Sequence, residues 1–398
     1  ATLRADGASV FAKNNKWGYF PSVALGWTMS EENFLKKAEW LSNLKLRLSW
    51  GQTGNADIST NAFASYGAQG SWVNSDYKTV TGVLKSRLEN PDLKWETTSE
   101  WNLGIDFGFL KNRISGSLEL YQRTISDLLN YKPLNTYQEV KRIMANVGET
   151  RSRGVELTIN THNIQTRDFN WSTAFTFSKY EDKWKERTPD WKPNVYEKVT
   201  DPIRAIYARR ADHILQIGEE APAAQPDLRP GQIVIKDLNG YVRDENGNPK
   251  VDENGRFMLT GQPDGKIDEA DTELIGTTDP GWMASMTNSF RYKGFDFSFM
   301  FNGMFDRIML DPTDMDYGLG GTNIAQMGYN MLRIVKDRWT FENPSTTRPS
   351  SYYVTGTNYT AGDFFYQKAW FIRMQNISLG YTLPKSLISR TKVLSNVR

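Results

Sequence analysis

The stretch Glu100–Phe109, EWNLGIDFGF, alternates strictly between two kinds of side chain. Apolar residues occupy every second position: Trp101, Leu103, Ile105, Phe107 and Phe109. The positions between them are polar or small: Glu100, Asn102, Gly104, Asp106 and Gly108. Successive side chains of a β-strand point to opposite faces, so this period predicts a strand with one apolar and one polar face.

Eight further segments repeat this alternation, and all are predicted to be strands. They are Tyr19–Met29, Leu44–Gly51, Ile114–Tyr121, Val155–Ile159, Phe169–Phe177, Trp282–Phe290, Phe295–Phe301 and Trp370–Tyr381. The Trp282–Phe290 segment alternates more weakly. The last segment alternates only after Asn376, and its break in phase near Arg373 predicts a β-bulge. The sequence therefore predicts an all-β protein of about 9–11 antiparallel strands.

The connections between these segments alternate between short and long. The short ones are 30–43, 110–113, 161–168 and 291–294, and the first of them includes a segment, 31–40, that we predict to be helical. The long ones are 54–99, 124–154, 179–281 and 304–369. In a meander this order places every long loop at one end, as in outer-membrane barrels with short periplasmic turns. A soluble β-sandwich gives the same strand alternation but seldom this order of connections, so we expect the apolar face to meet lipid.

Composition agrees with a membrane barrel and excludes several other classes of protein. The chain has 13 Trp, 18 Tyr and 20 Phe, which suits aromatic girdles at the membrane interfaces. Its 48 Lys and Arg nearly balance 46 Asp and Glu, so no nucleic-acid partner is expected. Cysteine is absent and only two histidines occur, which leaves almost nothing for thiolate or histidine chemistry. No stretch approaches the ~18 apolar residues of a membrane-spanning helix.

Several short motifs along the chain resemble the SusC/RagA family of TonB-dependent outer-membrane transporters. They are Leu3–Gly7 followed by Trp17–Ser22, Leu44–Arg47 with Gly51–Asn55, Leu93–Glu96, Asn146–Gly148 with Arg153–Leu157, Ile372–Arg373 with Asn376–Tyr381, and Leu383–Pro384. The resemblance implies a 22-stranded barrel filled by an N-terminal plug domain, of which these residues form the C-terminal barrel portion. We expect the plug, and at least one final strand beyond a strand beginning at 394–398, to lie outside the chain.

The resemblance also implies a function in the outer membrane of Gram-negative bacteria of the Bacteroidota type. Such transporters import a bulky nutrient, most often an oligosaccharide, with energy delivered through TonB and a SusD-like surface lipoprotein as a lid. A peptide importer of the same family and a soluble glycan-binding β-protein are the alternatives, and a passive porin is disfavoured only by the resemblance. An enzyme is not expected, because no Ser/His/acid pattern surrounds either histidine.

The most distinctive polar cluster is split in two. Asp237-Leu238-Asn239-Gly240 and Asp264–Asp271, if joined, would read D-x-N-G-D-G-x-I-D-x-x-D, the oxygen-rich spacing of a calcium loop. The intervening 241–263 suggests an inserted hairpin within a predicted extracellular loop, 231–276. One interpretation is therefore a Ca²⁺ site whose candidate ligands are Asp237, Asn239, Asp264, Asp268 and Asp271; the other is a solvated acidic loop.

No residue is assigned to substrate, but aromatic side chains outside the predicted strands are candidates for stacking on sugar rings or for a protein interface. They are Trp72, Tyr77, Trp184, Trp191, Tyr196, Tyr352, Tyr353 and Tyr359. His162 is expected in a short periplasmic turn and His213 in a long external loop, both in structural roles.

Overall fold

A computed structural model describes residues 1–58, 62–135, 137, 140–189, 191–252, 255–319, 327–351, 362–388 and 397. The chain divides into two compact units. Unit 1 comprises 1–191, 281–304 and 371–398, and unit 2 comprises 192–280 and 305–370. The strand predicted to begin at 394–398 falls outside the described residues, residue 397 aside.

The described residues form twenty strands and two short helices. In chain order the strands are β1 Thr2–Gly7, β2 Trp17–Thr28, β3 Leu41–Asn55, β4 Ser65–Val73, β5 Thr79–Arg87, β6 Glu96–Phe109, β7 Ile114–Ser126, β8 Leu129–Pro133, β9 Arg142–Asn146, β10 Glu149–Gln165, β11 Phe169–Glu186, β12 Ala205–Arg209, β13 Ala211–Ile214, β14 Ile233–Ile235, β15 Thr272–Thr277, β16 Trp282–Tyr292, β17 Phe295–Phe305, β18 Ile308–Leu310, β19 Tyr366–Lys368 and β20 Phe371–Tyr381. The helices are α1 Pro312–Tyr317 and α2 Lys385–Ile388, and 3-10 turns occupy Met29–Glu31, Glu269–Asp271 and Arg333–Asp337. No helix in this described part of the chain is long and apolar enough to cross a membrane.

One ten-stranded sheet dominates unit 1, in the order β1-β2-β3-β6-β7-β10-β11-β16-β17-β20. Strands that are consecutive in this order are also consecutive along the chain, apart from hairpins inserted in the loops. Four connections, 29–40, 110–113, 166–168 and 293–294, therefore lie at one end. Of the five connections at the other end, all except 8–16 carry extra strands. All nine predicted strands are confirmed, and β1 adds a tenth.

Pairing between the strands aligns apolar residues into rows across the sheet. One row joins Leu46 to Ile105, Ile105 to Leu118, Leu118 to Leu157, and Leu157 to Phe177. Because a slip of one residue would exchange the two faces, this pattern fixes the register. Leu25, Ile377 and Leu379 on the same face are more than 60% exposed. In the described residues, the buried apolar side chains of unit 1 lie in loops, near strand ends and in α2 rather than under this face.

Three details of the predicted secondary structure need correction. The segment 31–40, predicted to be helical, contains only the 3-10 turn at 29–31 followed by isolated turns, because its backbone hydrogen bonds are mostly of the i to i+3 type. His162 lies in β10 rather than in a turn, and Trp184 lies in β11 rather than in a loop. The bulge predicted near Arg373 is confirmed close by, since Phe301 pairs with Met374 while Met300 pairs with Asn376.

Unit 2 is assembled from the two longest connections of the sheet. Small two-stranded sheets pair β12 with β15, β13 with β14, and β18 with β19. Its apolar core joins Ile233 and Ile235 to Leu319 and Phe365, so both sequence segments contribute. Arg210 ties them further, since its guanidinium pairs with Glu273 from the first segment and with Asp363 from the second, the latter at 3.0 Å. Residues 231–276, predicted to be one extracellular loop, belong to this unit.

Candidate functional site

The polar face of the sheet carries a charged network that spans three strands. Arg47 on β3 donates from Nε and Nη2 to the two carboxylate oxygens of Asp106 on β6, at 2.8 and 2.9 Å. Nη2 also donates to Oε1 of Glu119 on β7 at 2.9 Å, and Asn102 donates to the other oxygen of Glu119 at 3.2 Å. Two charge-assisted bonds to one carboxylate fix the guanidinium plane. The network therefore holds a rigid, half-buried set of charges on this face.

Glycines let large side chains lie flat across the polar face. The Arg47 guanidinium covers Gly104, where a Cβ would lie 2.8 Å from Cζ of the arginine. The Tyr121 ring covers Gly154 in the same way, with 2.4 Å between a Cβ there and the ring Cζ. Gly154 belongs to the Arg153–Leu157 motif, so this motif has a physical reason: a larger residue would displace the Tyr121 ring.

A second pair of charges lies nearer the long loops. Arg123 on β7 donates from Nε to Oε2 of Glu100 on β6 at 2.7 Å, and Ser152 on β10 hydrogen-bonds to Asp182 on β11. The polar face thus offers carboxylates, guanidinium groups, amides and hydroxyls in cross-strand rows. Such groups can hydrogen-bond a hydrated, polar solute along the face.

Where the strands meet the long loops, a small aromatic core contains residues from three of the motifs. Trp95 packs against Phe11 and against the edge of Phe20, with ring centroids 5.5 Å apart in both pairs. Phe11 and Phe20 are buried, and so is Leu93. The Phe20 ring lies over Gly54, where a Cβ would be only 2.0 Å from its Cζ. The glycines of the Gly51–Asn55 motif therefore make room for this core.

Hydrogen bonds tie two of the long loops together beside this core. Asn146 accepts from the Lys94 backbone N–H at 2.9 Å and donates to the Lys94 carbonyl at 2.8 Å. It also donates to the Asp127 carbonyl at 2.9 Å, and Asn90 donates to the Met144 carbonyl at 2.8 Å. The motifs around Leu93–Glu96 and Asn146–Gly148 are therefore parts of one loop clasp, although 52 residues separate Lys94 from Asn146.

The two halves of the split acidic loop come together in unit 2. Asp237 accepts from the backbone N–H of Asp264 at 3.1 Å and of Gly265 at 2.7 Å. Asp271, almost fully buried, accepts from the N–H groups of Leu238, Asn239 and Asp268. The inserted segment does return its ends to one place, and its isolated bridges, Tyr241 to Leu259 among them, fit the predicted hairpin.

The candidate calcium ligands are used differently from a preassembled cation site. Both oxygens of Asp237 and of Asp271 accept backbone N–H groups, and an oxygen of Asp268 caps the 3-10 turn by accepting from Ala270. Within the described ranges, no group of three or more His, Cys, Asp or Glu side chains is placed to hold a metal ion. These hydrogen bonds close the loop, and calcium binding by Asp237, Asn239, Asp264, Asp268 and Asp271 stays a prediction.

His213 in unit 2 lies between two carboxylates. Its Nδ1 is 2.9 Å from Asp212 and its Nε2 is 2.7 Å from Glu219. The hydrogen bond with Asp212 raises the pKa of the imidazole, assisted by Glu219 and opposed by partial burial. Glu219 also accepts from the Gln216 N–H at 2.9 Å, which lowers its own pKa. Through its contact with Glu219, protonated His213 therefore stabilises the turn 216–219.

Three of the eight loop aromatics that are candidates for stacking contact other side chains of the protein. The Arg187 guanidinium lies over both Trp184 and Trp191, 4.6 and 4.9 Å from the ring centroids, and Tyr196 packs on Tyr207 at 5.1 Å. Tyr77 differs: it is 92% exposed at the tip of the β4–β5 hairpin. Nothing is described of the Trp72 side chain, and Tyr352, Tyr353 and Tyr359 lie outside the described residues.

A family model described as TonB dependent receptor-like, beta-barrel, matches residues 1–217, more than half of the chain. The chain belongs to this family. It is 31% identical to the TonB-dependent receptor SusC of Bacteroides thetaiotaomicron over 96% of its length, and 30% identical to TonB-dependent receptor P3 of Formosa agariphila over 98%. It spans 36% and 37% of those relatives.

Solved structures give the same fold. The structure of the RagAB peptide transporter superposes with a TM-score of 0.75 at 23% identity, over 97% of this chain and 39% of that one. The chain is therefore part of an outer-membrane β-barrel, with its apolar face toward lipid and its polar face toward the lumen. Family membership removes the soluble β-protein alternative. The relatives are named as TonB-dependent receptors and not as enzymes, in agreement with the prediction from the sequence.

Proposed function

We propose that this chain forms part of the barrel wall of a TonB-dependent importer whose bulky nutrient is an oligosaccharide, with a SusD-like lipoprotein as its lid. The observation that carries the proposal is the pairing of a lipid-facing ten-stranded sheet with a charged, hydrogen-bonding lumen face, in a chain 31% identical to SusC. The importer itself would be the full-length protein; this chain spans 36% and 37% of the two relatives.

Two features support transport without chemistry. The Arg47 network leaves its carboxylates paired rather than free to exchange protons, so the lumen face suits binding and passage of a polar solute. The loop clasp around Trp95 holds the long-loop end of β2, β3 and β6 in a fixed arrangement, as a docking rim for a lid requires. TonB coupling would act through the plug, and rests on the family alone.

Growth of a deletion strain tests the proposal. The strain is complemented with the full-length gene and grown with an oligosaccharide mixture or a peptide mixture as sole carbon source. An importer of the proposed kind restores growth on oligosaccharide only when TonB is intact. Growth that survives loss of TonB indicates a passive porin, and growth on peptide alone indicates a peptide importer.

The peptide alternative has one observation in its favour. The RagAB structure, whose fold this chain shares, is of a peptide transporter. Calorimetry on the purified full-length protein with its lipoprotein partner separates the two cargoes: the proposal requires heat of binding with oligosaccharides and none with a peptide mixture of the same concentration.

A further inference from the structure

The lipid-facing surface of β10 and β11 changes character abruptly along the strands. On β11 the outward positions run Phe169, Trp171, Thr173, Phe175 and Phe177, and are then followed by Lys179, Glu181 and Lys183. On β10 the outward residues Leu157 and Val155 are followed by Arg153 and Arg151. Four cations and one carboxylate thus share one face. We call Arg151, Arg153, Lys179 and Lys183 the outer basic patch.

The height of this patch follows from strand geometry. Ten residues separate Phe169, beside a short turn, from Lys179. At a rise of ~3.4 Å per residue and a tilt of ~40°, ten residues climb about 26 Å. The apolar band of an outer-membrane barrel is ~25 Å tall. Lys179 therefore emerges where the hydrocarbon ends on the extracellular side, and Lys183 reaches about 10 Å further, through the headgroup layer.

Cross-strand pairing brings these cations together. Arg151 lies directly opposite Lys183, and Arg153 opposite Glu181. Directly opposed side chains on one face have Cβ atoms about 4.5–5.5 Å apart, so like charges in this position repel. Glu181 pairs with Lys183 at 2.5 Å, and Arg153 donates to the neutral Gln122 at 2.7 Å. In the described part of the chain no carboxylate pairs with Arg151 or Lys179.

We infer that the outer basic patch binds a phosphate group of an anionic lipid in the outer leaflet of the outer membrane. An anionic headgroup at the patch would supply a counter-charge for Arg151 and Lys179 and would offset the repulsion between Arg151 and Lys183. Arginine is suited to bidentate phosphate contacts. Trp282, which packs on Phe177 with ring centroids 6.0 Å apart, lies beside Lys179 at the top of the apolar band and suits the acyl–headgroup boundary. The inference concerns lipid rather than cargo, and it stands apart from the proposed import.

The test uses the full-length protein purified in mild detergent from its outer membrane. Native mass spectrometry measures the lipid that remains bound, and titration with phosphorylated lipid A measures affinity. The variant is Arg151→Gln with Lys179→Gln. The matched control is Lys36→Gln with Lys37→Gln, which removes the same charge from exposed residues at the short-turn end.

Each cation near an anionic lipid surface strengthens binding by a factor of about five, so the double variant should weaken lipid A binding about thirtyfold. The control variant should bind as the wild type does. Dephosphorylated lipid A should bind neither the wild type nor the control variant. Millimolar inorganic phosphate should compete only weakly with lipid A, since phosphate lacks the acyl chains. Should the double variant fail to fold, Lys179→Gln alone is expected to lose about fivefold.

Three results would overturn the inference. The first is equal lipid A affinity in the wild type and the double variant. The second is equal displacement by free phosphate, which would make the patch a small-anion site. The third is loss of the lipoprotein partner, with lipid binding unchanged, which would assign the patch to a protein contact.

Discussion

Gly54→Ala is the substitution whose effect the structure defines most sharply. A Cβ at position 54 would lie 2.0 Å from Cζ of Phe20. Non-bonded carbon atoms pack at about 3.5–4.0 Å, so the ring has to move by roughly 1.5 Å. The backbone of Gly54 is not in the left-handed region, so alanine adds no backbone strain and would otherwise stabilise the strand slightly.

Close packing restricts the movement of the Phe20 ring. It is buried, its edge meets Trp95, and Gly18 lies beneath it, where a Cβ would be 2.5 Å from the same ring atom. Overpacking of this kind costs about 1–3 kcal/mol. The substitution should destabilise the loop clasp, because Trp95 packs on Phe11 and is adjacent to Lys94, whose backbone N–H donates to Asn146.

Hydrogen exchange with mass spectrometry measures that cost locally in the full-length protein. A loss of about 1–3 kcal/mol raises the exchange of peptides covering 90–96 and 144–148 by about 5- to 150-fold. Gly67→Ala is the matched control, since its nearest neighbour would be an ordinary 3.6 Å from the new Cβ. Adding Phe20→Leu to Gly54→Ala should restore part of the protection. Equal exchange in Gly54→Ala and Gly67→Ala would refute the reasoning.

Three other perturbations have defined outcomes. Arg47→Gln leaves two half-buried carboxylates without their cation and should destabilise the barrel by about 1–2 kcal/mol in thermal unfolding, whereas Arg4→Gln, from the exposed pair with Asp6, should change stability by less than about 0.5 kcal/mol. Because its pairing with Asp212 raises the pKa of His213, this pairing stabilises the 216–219 turn fully below pH ~6.5 and is lost as the pH rises through the folded-state pKa. Diethyl pyrocarbonate labelling of His213 should therefore reach half its maximal rate at a higher pH in the wild type than in Asp212→Asn. Equal midpoints in the two proteins would exclude the pairing. Asp271→Asn should lower the free energy of unfolding by about 1.5–3 kcal/mol, because the Asp271 carboxylate accepts three backbone N–H groups. If Ca²⁺ is bound in this loop, EDTA should also raise hydrogen exchange across 237–240 and 264–271 in the wild type. Unchanged exchange would contradict the calcium prediction.

The strands were predictable because alternation is a local signal. Each predicted segment contains its own apolar period, and the neighbouring strand adds nothing that is needed to recognise it. The exception shows the limit of this rule. The Trp282–Phe290 segment alternates weakly because Asn288 occupies an apolar-face position, where its side-chain oxygen accepts from Trp171 at 2.9 Å and from Thr173 at 2.7 Å. Those partners are more than 110 residues away, beyond any local pattern.

Strand ends were less predictable for a related reason. β11 continues to Glu186 through mostly charged residues, so the apolar alternation ends at Phe177 although the strand does not. That is why Trp184 was predicted to lie in a loop. The prediction for 31–40 was wrong in the opposite sense, because regular structure was predicted where little forms. The composition of this segment suits a helix, but the segment forms only single turns.

The arrangement of the site could not be read from the sequence. Arg47 meets Asp106 and Glu119 across 59 and 72 residues, and only the pairing register of three strands brings them together. The acidic halves around Asp237 and Asp264 approach each other, as the calcium-loop interpretation requires. Their use of backbone N–H groups as partners depends on loop geometry that no spacing of residue types encodes.

Site-directed spin labelling tests the central claim, that the apolar face of the sheet meets lipid. Because the chain has no cysteine, single cysteines can be placed at Leu103 and Leu118 on the apolar face, and at Asn102 and Ser117 on the polar face. In the full-length protein in bilayers, nitroxides at Leu103 and Leu118 should collide readily with oxygen and poorly with a water-soluble nickel complex. Nitroxides at Asn102 and Ser117 should lack that oxygen preference. Nickel accessibility at Leu103 and Leu118 equal to that of a loop site such as Tyr77 would contradict a lipid-facing surface.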